Sequence, residues 1–150
     1  MLQQGNKVKK YFLLVSLFYS INSFSQEKDF RTFLSEFKFD IEHKNLEKMK
    51  VYLSFPLQSD EWETLLYGKP IEAGIEEDDF MANFNLIFTK ELKKTIMNAL
   101  PSRTERYGNL NPSYMIPYER DGDNASWLLF QNIDNSWKLV GTDKGNFKGY

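Results

Sequence analysis

Apolar side chains recur with a helical period just after residue 26. In EKDFRTFLSEFKFDIEH they fall at spacings of three and four residues, which places them on one face of a helix. Glu27 and Asp29 lie in its first turn, where acids complement the helix dipole. The pattern predicts an amphipathic first helix whose apolar stripe consists of Phe30, Phe33, Leu34, Phe37 and Ile41.

Three further helices are predicted from capping residues and spacing. Asn45 is a typical N-cap for a short helix in LEKMKVYL, and Thr89 for a helix in KELKKTIMNAL, which Pro101 ends. Between them, EEDDFMANFNLIF has its acids at the N-terminal end and its large apolar residues on one side. The chain up to about residue 100 is therefore expected to be mainly helical.

Two stretches interrupt this helical region or follow it. Pro56 stops any helix and favours an extended segment ahead of it. After it, TLLYG, which ends at Gly68, is predicted to be one short strand. SRTERYGNLNPS, which begins at Ser102, is predicted to be a loop.

The period changes in the last third of the chain. SYMIPYE, SWLLFQN and SWKLVG are short and aromatic-rich, and the turn sequences RDGDN and IDN separate them, so they predict an antiparallel meander. In the middle segment Trp127 and Leu129 share one face and Leu128 and Phe130 the other, which indicates a covered, central strand. Helices first and strands last predict an α+β fold, with helices packed on one face of the sheet.

The first 25 residues have a pattern of their own. Lysines precede an apolar run over residues 11–21, which is followed by the small residues Ser23 and Ser25. This layout is typical of a secretory signal peptide. A membrane anchor is the alternative, but the run has 11 residues, whereas a spanning helix needs about 20. We predict a signal peptide over 1–25 and a single domain over 26–150, exported to the periplasm or the medium, with no membrane association after cleavage.

Charge and composition exclude several functional classes. The chain has 19 Lys and Arg against 21 Asp and Glu, and removal of the first 25 residues takes three lysines and no acid, which leaves a net charge of −5. Outside the N-terminus the densest basic stretch is KELKK, so nucleic-acid binding is not expected. The chain has no cysteine, which excludes disulfides, thiolate metal sites and cysteine nucleophiles.

Motifs for metals, phosphates and serine nucleophiles are also missing. EEDD at 76–79 and RDGDN at 120–124 lack the spacing of a calcium-binding loop, and a hairpin turn explains the second. The chain contains no G-x-S-x-G and no glycine-rich phosphate loop. We therefore expect neither a metal nor a cofactor.

Asp40 and His43 are the first candidates for chemistry. His43 is the only histidine, and Asp40 lies three residues before it on the same predicted helix. Helical phase places His43 on the solvent side and Asp40 at the edge of the apolar stripe. At that border the Asp40 carboxylate could line a cavity, have a raised pKa and act as a general base. The alternative is that Asp40 points to water beside Glu36.

Four stretches in order carry a family resemblance: FRTFLSEFKFD, LEKMKVYLSFPL, FMANFNLIFTKELKKTI and NIDNSWKLVG. Together they resemble exported bacterial proteins of the nuclear-transport-factor-2-like superfamily, also called the cystatin-like cone fold. The resemblance covers most of residues 27–141 and depends on core and turn residues. It implies a long helix cradled by a strongly curved antiparallel sheet around a cone-shaped cavity, with the missing strands supplied by residues 53–75.

This superfamily includes isomerases, dehydratases and polyketide cyclases as well as non-catalytic binding modules, so its fold does not decide the function. Catalytic members usually place an Asp–His pair or a Tyr–Asp set in the cone, which the outward His43 does not match. We therefore predict an exported non-catalytic domain that binds a protein partner or a small ligand. The predicted pocket residues are Asp40, Tyr114, Tyr118 and Trp127.

Two alternatives remain open at this point. One is a small cone-fold enzyme of the isomerase, dehydratase or hydrolase type, in which Asp40 is the general base and Tyr114 or Tyr118 donates a hydrogen bond. The other is a neutralising partner of a toxin or hydrolase, which the acidic charge would suit.

Overall fold

The computed structural model describes residues 29–100, 102–104, 113–121 and 124–146. The chain divides into two compact units, one ending at Ser35 and the other beginning at Glu36. Helix α1 covers 29–42, so its first half belongs to the first unit and its second half to the second. The proposed signal peptide lies outside the described residues. All five residues of the predicted stripe are buried, which confirms the helical period: Phe30, Phe33, Leu34, Phe37 and Ile41.

The described residues of the second unit form five more helices, and local capping explains where several of them start. Asn45 and Thr89 cap α2 and α6 as predicted, since their side chains accept hydrogen bonds from Lys48 N and Leu92 N. The helices are α2 Leu46–Tyr52, α3 Asp60–Tyr67, α4 Glu77–Ala82, α5 Phe84–Ile87 and α6 Lys90–Asn98.

Two local predictions, one of a strand and one of a single helix, were wrong. The TLLYG stretch is the end of α3 rather than a strand, because Ser59 caps a helix that Gly68 closes in the left-handed conformation. EEDDFMANFNLIF forms two helices, because Asn83 separates them and its amide Nδ2 donates back to the Asp79 carbonyl at 2.9 Å.

The strands within the described residues form one five-stranded sheet in the order β1-β5-β4-β3-β2. The predicted meander of β3, β4 and β5 is confirmed, and so is the α+β class. Strand β1 comes from the region predicted to supply missing strands, but it pairs with β5 in parallel, so the sheet is mixed. Strand β2 replaces the beginning of the predicted loop. The strands are β1 Leu53–Gln58, β2 Ser102–Thr104, β3 Ser113–Asp121, β4 Asn124–Ile133 and β5 Ser136–Asn146.

Strands β4 and β5, which carry Trp127 and Trp137, form a hairpin in the middle of the sheet, as predicted for β4. Asp134 and Asn135 connect its strands with φ angles of 51° and 60°, which is the geometry of a two-residue hairpin turn. Trp137 is buried and packs edge-on against Tyr114 with 5.3 Å between ring centroids. The Trp137 ring of this hairpin therefore belongs to the core, whereas Trp127 is partly exposed.

The register of the sheet shifts at three places, and one of them lies between β1 and β5. Pairing between β3 and β4 shifts after Pro117, so that Tyr118 is an extra residue on β3. Pairing between β4 and β5 shifts in the same way, with Val140 extra on β5. Gly141 follows it, and its backbone lies so close to β1 that a Cβ would overlap the carbonyl oxygen of Gln58. A bulge re-aims side chains beside it, which bears directly on Tyr118.

An aromatic cluster fills the space between α3 and the helices that follow it. Phe88 stacks on Phe84 at 5.0 Å and lies 5.8 Å from the Trp62 ring, and Phe80 contacts all three rings at about 6 Å. All four side chains are almost fully buried. Through Trp62 the cluster anchors α3, and α3 carries the site described below. Within the described residues, no helix is both long and apolar enough to span a bilayer.

Candidate functional site

Two clefts of about 270 Å³ each open on either side of Glu61, near the start of α3. The first, the polar cleft, is lined by Gln58, Ser59, Asp60, Glu61, Thr142 and Asp143. The second, the apolar cleft, is lined by Glu61, Trp62, Leu65, Leu86, Ile87, Thr89, Glu91, Leu92, Thr95 and Tyr118. Glu61 is the residue that the two clefts share.

The position of Glu61 is set by the capping of α3. The Ser59 hydroxyl accepts from Trp62 N at 3.2 Å, and Ser59 N donates to the buried carboxylate of Glu63 at 3.0 Å. This reciprocal pattern resembles a capping box. The other Glu63 oxygen accepts from Ile71 N at 2.7 Å, and the Ser59 and Thr142 hydroxyl oxygens lie 2.6 Å apart. The start of α3 is thus fixed to β5 and to the segment that follows α3.

Tyr118 reaches Glu61 from the bulge in β3. Its Oη donates to Glu61 Oε2 at 2.9 Å, across 57 positions of sequence. Burial raises the pKa of Tyr118 well above its usual range, and the charge of Glu61 raises it further, although hydrogen bonds with Thr142 and Ser126 act in the opposite direction. The phenol is therefore a protonated donor at neutral pH.

The lining of the apolar cleft is unusual in its charge. Among the described residues that line it are two carboxylates, from Glu61 and Glu91, and no Lys, Arg or His. Leu65 and Leu86 flank it with 49% and 48% of their surface exposed, whereas Trp62 is 2% exposed. The cleft thus has a rigid aromatic base, an apolar rim and acceptors for hydrogen bonds at its polar end.

No metal centre accompanies these carboxylates in the part of the chain that the structure describes, since no three acidic or histidine side chains there are placed to hold an ion. The residues of the apolar cleft are suited to bind a ligand. It offers apolar contact area, a fixed carboxylate and a fixed hydroxyl within one concave surface.

Asp40 lies elsewhere, at the corner between α1 and α2. It is 1% exposed, and both carboxylate oxygens are engaged: Tyr52 Oη donates to Oδ2 at 2.8 Å, and Asn45 Nδ2 donates to Oδ1 at 3.1 Å. Lys48 Nζ lies 3.8 Å from Oδ1. Because Asn45 also caps α2, Asp40 ties the two helices together, and it lines neither cleft.

His43 is exposed, as helical phase predicted. Its ring stacks on Phe39 with centroids 4.0 Å apart, and Nδ1 lies 2.7 Å from the Phe39 carbonyl oxygen. The Asp40 carboxylate accepts its hydrogen bonds from Tyr52 and Asn45 instead of from His43.

Of the four residues predicted to line a pocket, Tyr118 alone lines one of these two clefts. Tyr114 is buried against Trp137, and Trp127 lies half-exposed on β4. The sequence interpretation did not identify Glu61 or Trp62, because the segment around them was not recognised as a helix. The signal was present as SDEWE, a serine cap followed by three acids in the first turn.

Comparison of the chain with protein-family models, with curated proteins and with solved structures finds no match in any of the three.

Proposed function

We propose that this protein is an exported, non-catalytic domain that binds a small ligand in the apolar cleft beside α3. The observation that carries the proposal is the polar end of this cleft, where the Tyr118 hydroxyl and the Glu61 carboxylate form a hydrogen-bonded pair. A mostly apolar concavity with a few fixed polar groups is the usual form of a small-ligand site. Of the two partner classes predicted from sequence, this shape favours the small ligand over a protein.

The cleft is preformed, which supports a binding role. Trp62 at its base is held by contacts with Phe80 and Phe88, and the α3 start is held by Ser59 and Glu63. A site that is already ordered loses little conformational entropy when a ligand enters. The volume of about 270 Å³ is close to the lower end of typical ligand sites, roughly 300 Å³, so the ligand is small.

Export is proposed from the pattern of residues 1–25 alone. N-terminal sequencing of the protein recovered outside the cytoplasm should find Gln26 first. Recovery of a chain that still begins at Met1 would contradict it. Membership of the nuclear-transport-factor-2-like superfamily likewise remains a proposal based on the sequence motifs, and the α+β order with a terminal meander is compatible with it.

The binding proposal is tested with N-phenyl-1-naphthylamine, an uncharged aromatic dye that fluoresces in apolar surroundings. We expect saturable binding to one site, and its loss in Leu65→Trp, which fills the cleft from its half-exposed rim. Val51→Trp is the matched control, because Val51 is 62% exposed and lines neither cleft. Equal binding by both variants, or no saturable binding to the wild type, would refute the proposal.

A second candidate function is an enzyme with Asp40 as the general base, which is considered because a tyrosine hydroxyl, that of Tyr52, contacts the Asp40 carboxylate. In this arrangement both Asp40 oxygens are occupied, so a substrate would have to displace Tyr52 or Asn45. Asp40→Asn separates the two candidates. Under the binding proposal it lowers stability by about 1–3 kcal/mol and leaves dye affinity unchanged; a loss of dye binding by the folded variant would favour Asp40 as a ligand-contacting residue.

A further inference from the structure

We infer that the ligand is an amphiphile that spans both clefts, with a hydrocarbon tail in the apolar cleft and a hydroxyl-bearing head group in the polar cleft. This inference depends on the proposed function, since it names the chemical class bound beside α3. It rests on two adjoining clefts of equal volume, about 270 Å³ each, whose linings differ in chemistry.

The two clefts adjoin along α3. Asp60 lines the polar cleft, Glu61 lines both, and Trp62 lines the apolar cleft. Consecutive Cα atoms are about 3.8 Å apart, so one residue separates the two linings. Glu61 is held at this border, because its carboxylate accepts a hydrogen bond from the Tyr118 hydroxyl at 2.9 Å.

The clefts also adjoin at the sheet. Tyr118 on β3 lines the apolar cleft, and its hydroxyl hydrogen-bonds with Thr142 on β5, which lines the polar cleft. The two linings are therefore in contact on both α3 and the sheet. A ligand that binds in one cleft lies next to the other, and a single molecule can occupy both.

The lining of the polar cleft matches the chemistry of ligand hydroxyls. The Gln58 amide and the hydroxyls of Ser59 and Thr142 can both donate and accept hydrogen bonds, and the Asp60 carboxylate accepts them. A ligand hydroxyl likewise donates one hydrogen bond and accepts others. Gln58 and Asp60 are exposed, so a head group can reach them without displacing the Ser59–Thr142 contact of 2.6 Å.

The apolar cleft defines the other end of the ligand. Leu65 and Leu86 are each about half exposed, and they flank a base formed by the buried Trp62 and Leu92. Covering these side chains removes apolar surface from water, which favours a hydrocarbon tail. A sugar or polyol alone would leave this surface uncovered, and a hydrocarbon alone would make no use of the polar cleft.

Isothermal titration calorimetry with three matched compounds, each below its micelle-forming concentration, tests the inference: octyl β-glucoside, 1-octanol and methyl β-glucoside. We expect octyl β-glucoside to bind roughly tenfold more tightly than 1-octanol, which corresponds to one or two net hydrogen bonds from the head group. Methyl β-glucoside lacks the tail and should bind at least about a hundredfold more weakly than octyl β-glucoside, because each buried methylene contributes roughly fourfold.

Variants of the polar cleft locate the head group. Gln58→Ala and Asp60→Ala should each weaken octyl β-glucoside binding by roughly three- to tenfold and leave 1-octanol binding unchanged. Leu65→Trp, which fills the apolar cleft, should abolish binding of both compounds.

Each head-group variant has a matched control. Asn85→Ala removes an exposed amide on α5, and Asp78→Ala removes an exposed acid from the first turn of α4; neither residue lines a cleft. Both should bind octyl β-glucoside like the wild type. Thermal unfolding shows whether each variant is folded, and either of Gln58→Ala and Asp60→Ala keeps the test available if the other is unstable.

The outcomes separate this inference from the proposed function. If the naphthylamine dye binds but octyl β-glucoside binds no more tightly than 1-octanol, the amphiphile inference is overturned and the binding proposal stands. The same holds if Gln58→Ala and Asp60→Ala weaken octyl β-glucoside no more than their controls do, or if methyl β-glucoside binds as tightly. If neither the dye nor any of the three compounds binds, both proposals fail.

Discussion

The Tyr118–Glu61 hydrogen bond should contribute measurably to stability because it is partly buried. A double-mutant cycle with Tyr118→Phe, Glu61→Gln and the double variant isolates this bond from the other contacts of either residue. Hydrogen bonds to charged groups contribute about 1.5–3 kcal/mol, and partial exposure places this one at about 1–2 kcal/mol. The cycle is measured by urea unfolding at pH 7, followed by tryptophan fluorescence.

An exposed pair between α3 and α4 supplies the control. Tyr67 Oη donates to Asp79 Oδ2 at 2.6 Å, which is shorter than the 2.9 Å between Tyr118 and Glu61. Because the Tyr67 pair is exposed, water competes for both partners and the expected coupling is below about 0.5 kcal/mol. If the donor–acceptor distance alone decided the strength, the Tyr67–Asp79 pair would have the larger coupling energy. A coupling energy for Tyr67–Asp79 equal to or above that of Tyr118–Glu61 would refute the reasoning that burial, and not distance, makes the cleft pair strong.

Three further predictions concern the scaffold. Gly141→Ala should destabilise the fold by more than about 3 kcal/mol, since a Cβ would overlap the β1 backbone. The control is Gly68→Ala, which should cost about 1 kcal/mol because Gly68 has a positive φ but open space around it. Equal urea midpoints for the two variants would contradict this. Lys38→Met should cost about 1–2 kcal/mol, because Lys38 Nζ donates to two carbonyls at the end of α6; an unchanged midpoint would show that these bonds do not stabilise the helix end. Burial, and then the hydrogen bond to a carboxylate, raise the pKa of Tyr52 to about 12, above about 10 for an unfolded chain. The stability that the protonated Tyr52 hydroxyl contributes is therefore complete below about pH 10 and is lost between about pH 10 and 12. Tyr52→Phe should reduce the fall in the urea midpoint over that pH range, and an identical fall in wild type and variant would contradict the assignment.

Local physical chemistry made much of the fold predictable. The apolar stripe of α1, the caps Asn45 and Thr89 and the turn at Asp134 depend on residues close together in sequence, and each was confirmed. The parallel pairing of β1 with β5 was not predictable in this way. It depends on the close approach of Gly141 to a strand more than eighty residues earlier, and a single glycine does not reveal its partner.

The site was predictable only in part, for a related reason. Tyr118 was identified as a hydrogen-bond donor at a pocket, and it does line a cleft and donate, but to Glu61 rather than beside Asp40. The bulge that places it depends on register between β3 and β4, which period alone does not reveal. Helical phase placed Asp40 at the border of the apolar face, but it did not show that Tyr52 and Asn45 would occupy both carboxylate oxygens.

The central claim is that the cleft beside α3, and not the corner around Asp40, is where this protein binds. The most direct measurement is a ¹⁵N–¹H NMR titration of the purified protein with N-phenyl-1-naphthylamine, which maps the perturbed backbone amides onto the sequence. We predict saturable shifts concentrated at Trp62, Leu65 and Leu92, with little change at Asp40 or Tyr52. Shifts concentrated at Asp40 and Tyr52, with none along α3, would contradict the claim.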